Sequence, residues 1–177
     1  MALVLGTNSY VDVDEADTYA TDRNMTDFLA LDDEAKEALL ISATDFLDTL
    51  VWIGTASLTT QPLAWPRNAT YYDPKYGVEV TLADETPEEV GEAQIELAFY
   101  FTDSGSFTGK INSDSNDSGP DSISVGSIQL SGLRSDINGT TVGGVLLPTM
   151  VANLVDHLLG IPATTGSGLF RPTFRVW

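Results

Sequence analysis

The segment from Ala38 to Arg67 constrains this chain most. A helical apolar pattern runs there into the loop Gln61-Pro62-Leu63-Ala64-Trp65-Pro66-Arg67. Proline lacks a backbone donor and fixes φ, so neither Pro62 nor Pro66 fits inside a helix or a central strand. Each also holds the residue before it, Gln61 or Trp65, in an extended conformation. The loop is therefore stiff, and it aims a large aromatic and a cation in set directions. No catalytic chemistry requires that arrangement, whereas a subunit that locks against a neighbour can use it.

The 177 residues suffice for one core, and a hydrophobic content of 42% excludes wholesale disorder. Charge is the unusual property: eight Lys and Arg stand against 26 Asp and Glu, a formal net charge of −18. Arg23, Lys36, Arg67, Lys75, Lys110, Arg134, Arg171 and Arg175 are scattered and form no cluster. Nucleic-acid affinity rests largely on cations that neutralise phosphates, so charge alone disfavours a DNA or RNA binder. The absence of cysteine excludes disulfides, thiolate catalysis and Cys-type zinc sites. Met1 to Gly6 has no basic start and too short an apolar run for a signal peptide, and no later run reaches the length of a membrane span. The expectation is a soluble protein made in a cytoplasm, with no membrane partner.

Asp12 and Glu15 have capping-box spacing and open a short helix to about Arg23, burying Ala16, Tyr19 and Ala20. A second helix starts at Asp32, with Ala35, Ala38, Leu39, Ala43, Phe46, Leu47 and Leu50 on one face and Gly54 as its stop. Residues 68–85 read as irregular with a small hairpin, in which Val78 to Leu82 alternates like a strand. Thr86-Pro87-Glu88-Glu89 is the clearest helix start. The helix it opens carries Val90, Ala93, Leu97, Ala98 and Phe101 on one face, with Ile95, Phe99 and Tyr100 off it. It is apolar over most of its girth, as befits a central or inter-subunit helix. A polar loop follows over 104–122, then a strand region over 123–133 with a phase change at Gly126 that suggests a bulge. A last helix spans roughly Pro148 to Leu159 and stops at Gly160.

Candidate chemistry is sparse. His157 is the single histidine, and its place near a helix end suits the dipole better than catalysis. No nucleophile elbow and no phosphate-cradling glycine loop occurs. Asp114, Asn116, Ser118 and Gly119 fit half of a calcium loop, but Val125 stands where its bidentate glutamate belongs. Trp65, Tyr71, Tyr72 and Tyr76 make either a stacking platform for bases or sugars or the packing of the hairpin onto the helices. The tail residues Leu169, Phe170, Phe174, Val176 and Trp177 put large apolar groups where termini are usually polar. They either anchor on a partner or fold back on the core. Neither a catalytic, a cofactor nor a metal site emerges, and the expected protein is no enzyme.

With these residues laid out, the chain resembles the phage head–tail connector (adaptor) proteins, including the group labelled DnaT-like. The resemblance rests on Ser9-Tyr10-Val11 with Ala16-Asp17-Thr18-Tyr19, on the helix from Ala38 to Asp48, and on the 61–67 loop. It continues through Pro87, Val90, Ala93, Glu96, Leu97 and Ala98 to Val125-Gly126-Ser127-Ile128, covering most of residues 9–160. It implies a structural virion protein at the neck: a ring of copies, commonly a dodecamer, below the portal protein. Such a ring extends the DNA channel, offers a platform to tail, stopper or tail-terminator proteins, and meets double-stranded DNA only in passage. On that reading Trp65, Pro66 and Arg67 brace a neighbour or the core, and Leu169, Phe170, Phe174, Val176 and Trp177 dock on the portal or an adjacent subunit. The DnaT-like label raises single-stranded DNA binding as the rival function, against which the charge argues. A plain interaction domain is the third reading.

The expected fold is mainly α: a small helical bundle with a β-hairpin and strand insertion and an extended C-terminal tail. Residues 1–160 form the domain, and 161–177 a docking tail.

Overall fold

The computed structural model describes residues 2–102, 122–125, 128–131, 139–142 and 145–160. The 104–121 part of the polar loop, the calcium-like positions 114–119 and the tail from 161 lie outside the described residues.

Helix α1 (Val13–Asp22) starts where expected: the Asp12 carboxylate accepts the Glu15 N–H at 2.8 Å, and Ala16 and Ala20 are buried. A single turn, α2 (Thr26–Leu29), follows and buries Phe28. Helix α3 (Asp33–Leu47) is capped by Asp32, which accepts the Ala35 N–H at 2.8 Å. Its buried face is Lys36, Leu40, Ala43, Thr44, Phe46 and Leu47, so the expected face is rotated and Ala38 is exposed. Lys36 can be buried because its ammonium meets the Asp17 carboxylate at 2.8 Å. The helix also ends at Leu47, ahead of Gly54. Trp52 Nε1 donates to the Leu47 carbonyl (3.0 Å) and Thr49 Oγ1 to that of Phe46 (2.7 Å), so side chains satisfy its C-terminal end.

Gly54 serves a different purpose. Its φ is +66°, and a Cβ there would stand 2.7 Å from Ala69 Cβ. That close approach lets β1 (Thr55–Ala56) pair with β2 (Arg67–Asp73), which pairs in turn with β3 (Val78–Glu85). Both pairings are antiparallel, with Tyr71 opposite Val80 and Tyr72 opposite Glu79. One face of the hairpin turns Ala69 and Leu82 into the core, while Asn68, Thr70, Tyr72, Glu79 and Thr81 are exposed.

Helix α4 (Glu88–Thr102) is the central element, with nine of its residues buried, among them Gln94 and Glu96. It packs on α3 and on α5 (Thr149–Val155), which continues as a 3-10 turn over Asp156–Leu158. Gln94 ties the chain start to this core. Its Oε1 accepts the N–H groups of Tyr10 (2.9 Å) and Val11 (3.2 Å), and its Nε2 donates to Ser9 Oγ (2.7 Å) and the Leu40 carbonyl (3.0 Å).

The mainly α expectation is corrected to a mixed α and β fold. Besides the three-stranded sheet there are two antiparallel pairs, β4 (Ser122–Val125) with β5 (Ile128–Ser131) and β6 (Gly139–Val142) with β7 (Val145–Pro148). Val125 stands opposite Ile128 in the first of these pairs, and Gly126, where a bulge was expected, lies outside the described residues. Strand β2 escapes a hydrophobic-pattern reading because its outward residues are Asn, Thr and Tyr and its ends are Arg and Asp.

Candidate functional site

Within the Pro62 to Arg67 loop, Leu63 and Trp65 are buried in the core, while Pro62 is exposed. Trp65 is 2% exposed and meets Trp52 edge to face at 5.5 Å between ring centroids. The Trp65–Pro66 peptide is cis and Pro66 is half-buried. Arg67 donates to three backbone carbonyls, those of Ile53 (2.7 Å), Gly54 (3.0 Å) and Ala64 (3.1 Å). Beneath the loop, Tyr10 donates its hydroxyl to Asp48, whose other oxygen accepts the Ala64 N–H at 3.2 Å. Burial, with the carboxylate beside it, pushes the Tyr10 hydroxyl far above its usual range. The remaining sequence candidates, Leu169, Phe170, Phe174, Val176 and Trp177, lie outside the described residues.

Among the described residues, the exposed aromatics sit in one place, the tip of the β2–β3 hairpin. Tyr72 is 64% exposed and Tyr76 68%, with Val78 beside them at 50%. The turn that carries them is fixed. Asp73 Oδ1 accepts the N–H groups of Lys75 (2.7 Å) and Tyr76 (3.2 Å), and the Asp73 carbonyl accepts that of Gly77 (2.8 Å). Gly77 has φ +68°, and a Cβ there would meet the Tyr72 hydroxyl at 3.3 Å, so Tyr72 leans over the turn. Lys75 Nζ lies 5.1 Å from the centre of the Tyr76 ring. A hydrogen bond to Tyr76 and the nearby charges of Asp73 and Glu89 hold the ammonium above its usual range, so it stays charged.

The other basic residues described here are committed elsewhere. Arg23 lies over Tyr19 at 3.5 Å and near Glu92 and Glu96 (3.6 and 3.8 Å), Lys36 is paired with Asp17, and Arg67 holds backbone. Lys75 is thus the one exposed cation beside exposed rings among the described residues.

Of the four aromatics that the sequence offered either as a stacking platform or as hairpin packing, the structure brings Tyr72 and Tyr76 together at the exposed tip. It withdraws Trp65 into the core and turns Tyr71 to the inner face, where its ring lies 5.2 Å from that of His157. Burial and the charges of Glu89 and Asp73 raise the Tyr71 hydroxyl. Sequence reasoning passed over Lys75; its signal was its place in the turn between Asp73-Pro74 and Tyr76-Gly77, where Pro74 to Gly77 are exposed. Among the described residues no group of His, Asp and Glu is placed to hold a metal ion, and no helix is long and apolar enough to cross a membrane.

A rigid, aromatic hairpin tip on a mixed α and β domain is a binding module's feature. Residues 2–168 match the family model described as "Putative DnaT-like ssDNA binding protein", and the chain belongs to that family. No curated protein and no solved structure matches it.

This match corrects the connector reading. The family concerns single-stranded DNA, and with it fall the structural neck role and its portal, ring, tail and stopper partners with duplex DNA only in passage. The physical reason is visible in the motifs behind that resemblance. Tyr10, the α3 face, Trp65 and the α4 residues build the interior, and an interior reports the fold and says little about the partner.

Proposed function

We propose that this chain is a non-enzymatic module that binds single-stranded DNA at the β2–β3 tip. Tyr72 and Tyr76 stack on unpaired bases, and Lys75 meets a phosphate. The observation that carries this reading is the pair of exposed tyrosines held on a turn that Asp73 locks, beside the exposed ammonium of Lys75. Family membership supports it.

The charge of −18 sets the mode of binding. Stacking is worth roughly 1–3 kcal/mol per base and needs no cation, because every base has a π-face. Duplex DNA offers no free face and a dense phosphate charge, so it is rejected. Two stacked bases and one phosphate contact make a weak site, near millimolar for about 4 kcal/mol. Affinity then comes from several tips on one strand.

A titration of a fluorescently labelled single strand with the full chain tests the reading. The expected result is saturable binding that the Tyr72→Ala/Tyr76→Ala variant loses while its melting temperature stays put. Equal binding by the variant overturns it.

A further inference from the structure

β2 covers one edge of β3, and among the described residues no strand covers the other. The register with β2 advances one for one from Asp73 opposite Val78 to Ala69 opposite Leu82. It then slips, so that Arg67 faces Glu85, and Asp84 takes a φ of 59°. The regular open edge is therefore Val78-Glu79-Val80-Thr81-Leu82. It carries neither proline nor lysine, the residues that most often guard such an edge.

We propose that this edge pairs with the same edge of a second copy, antiparallel and two-fold, with Val80 opposite Val80. Two identical antiparallel strands match in a limited set of registers. Shifting by one residue sets core-facing side chains beside solvent-facing ones and outward N–H groups beside inward carbonyls. Of the registers that remain, centring on Glu79 puts carboxylate against carboxylate, which is destabilising. Centring on Thr81 matches a shorter stretch. Centring on Val80 matches the whole regular edge, Val78 with Leu82 and Glu79 with Thr81. It also brings the Lys75 turn of each copy to the Asp84–Glu85 end of the other, so opposite charges meet.

The contact uses the same β3 edge of each copy, so it gives a closed dimer and not a ring. With −18 on each chain, self-repulsion opposes the contact, and salt that screens it strengthens the pair. The pairing does not depend on the DNA reading and is tested without DNA. Combined with that reading, it sets two Tyr76 tips about 27 Å apart on one sheet, four residues to either side of the two-fold at ~3.4 Å each.

Light scattering on the full chain over a concentration series, at low and at high salt, reads the mass directly. The expected mass climbs from 19.0 kDa toward twice that value, and further at high salt. The chain has no cysteine, so a single introduced thiol reports the register. Val80→Cys faces its own copy at about 4.5–5.5 Å between Cα atoms and oxidises to a linked dimer. Val78→Cys, about 14 Å from its own copy, does not. A mass of 19.0 kDa under every condition overturns the proposal. So does cross-linking by Val78→Cys as efficient as by Val80→Cys.

Discussion

Tyr72 stands directly opposite Glu79 in the β2–β3 register, an aromatic face beside a carboxylate on the same exposed side of the sheet. A DNA strand that stacks on Tyr72 brings its phosphates near that charge. Neutralising one exposed charge is worth up to about 1 kcal/mol. Glu79→Gln is therefore expected to tighten single-strand binding roughly two- to fivefold at low salt, and less at high salt. Anisotropy titrations at two ionic strengths check both halves of that expectation.

The Gln94 side chain serves four groups at once, two of them N–H groups of the chain start. Gln94→Leu keeps the volume and removes every one of those bonds, stranding the N–H groups of Tyr10 and the buried Val11, while the Ser9 hydroxyl keeps its bond to the Val11 carbonyl (2.6 Å). A buried group left without a partner costs about 1–3 kcal/mol, so the variant should lose about 2–4 kcal/mol in urea denaturation. The exposed tip is far from this network in the chain, and Tyr76→Ala should leave the same curve unmoved.

Acid should stabilise this protein. Burial raises the Asp48 carboxyl, with Asp45 adding to it and the Tyr10 and Ala64 hydrogen bonds pulling it back. Burial likewise raises Glu15, helped by Asp12 and Glu88, and Glu92, helped by Glu88, Glu89 and Glu96 against Arg23. Each group holds its proton more tightly folded than unfolded. The folded state then binds more protons between the ordinary and the raised values, and stability falls as pH rises through that window. Asp84, lowered by the neighbouring Ser57 hydroxyl and by the hydrogen bond from Asn68 (2.8 Å), has the opposite sign, and its contribution is lost only as pH falls through the lower carboxylate range. Melting temperature should rise as the pH falls from neutral into the raised carboxyl range, and Asp48→Asn should remove part of that rise. A melting temperature that falls over the same interval contradicts this.

Arg67 offers a separate test of the loop. Its guanidinium closes 53–54 onto 64 through three carbonyls, a fork that a lysine ammonium cannot reproduce. Arg67→Lys should cost about 1–2 kcal/mol of stability, read as a lower denaturation midpoint with an unchanged slope.

The helix starts were legible in the sequence because capping is local. Asp12, Asp32 and Thr86-Pro87 sit where α1, α3 and α4 begin. The end of α3 was not, because its carbonyls are satisfied by Trp52 and Thr49 and not by a glycine. Its buried face was misplaced because a lysine reads as exposed until Asp17 is found beside it. Strand β2 was hidden by outward polar residues, which carry no hydrophobic signal. At the candidate site the residue types were legible, but their exposure was not. Tyr71 and Tyr72 are neighbours in sequence, and the alternation of a strand alone decides which faces water.

The salt dependence of single-strand binding tests the central claim most directly. A labelled single strand is titrated with the full chain over a range of salt concentrations, with unlabelled duplex as competitor. One phosphate contact per chain predicts a slope of log affinity against log salt of about −0.7, with no competition from duplex. Absence of binding at low salt contradicts the account, and so does a slope several times steeper, which would place the contact on cations other than Lys75.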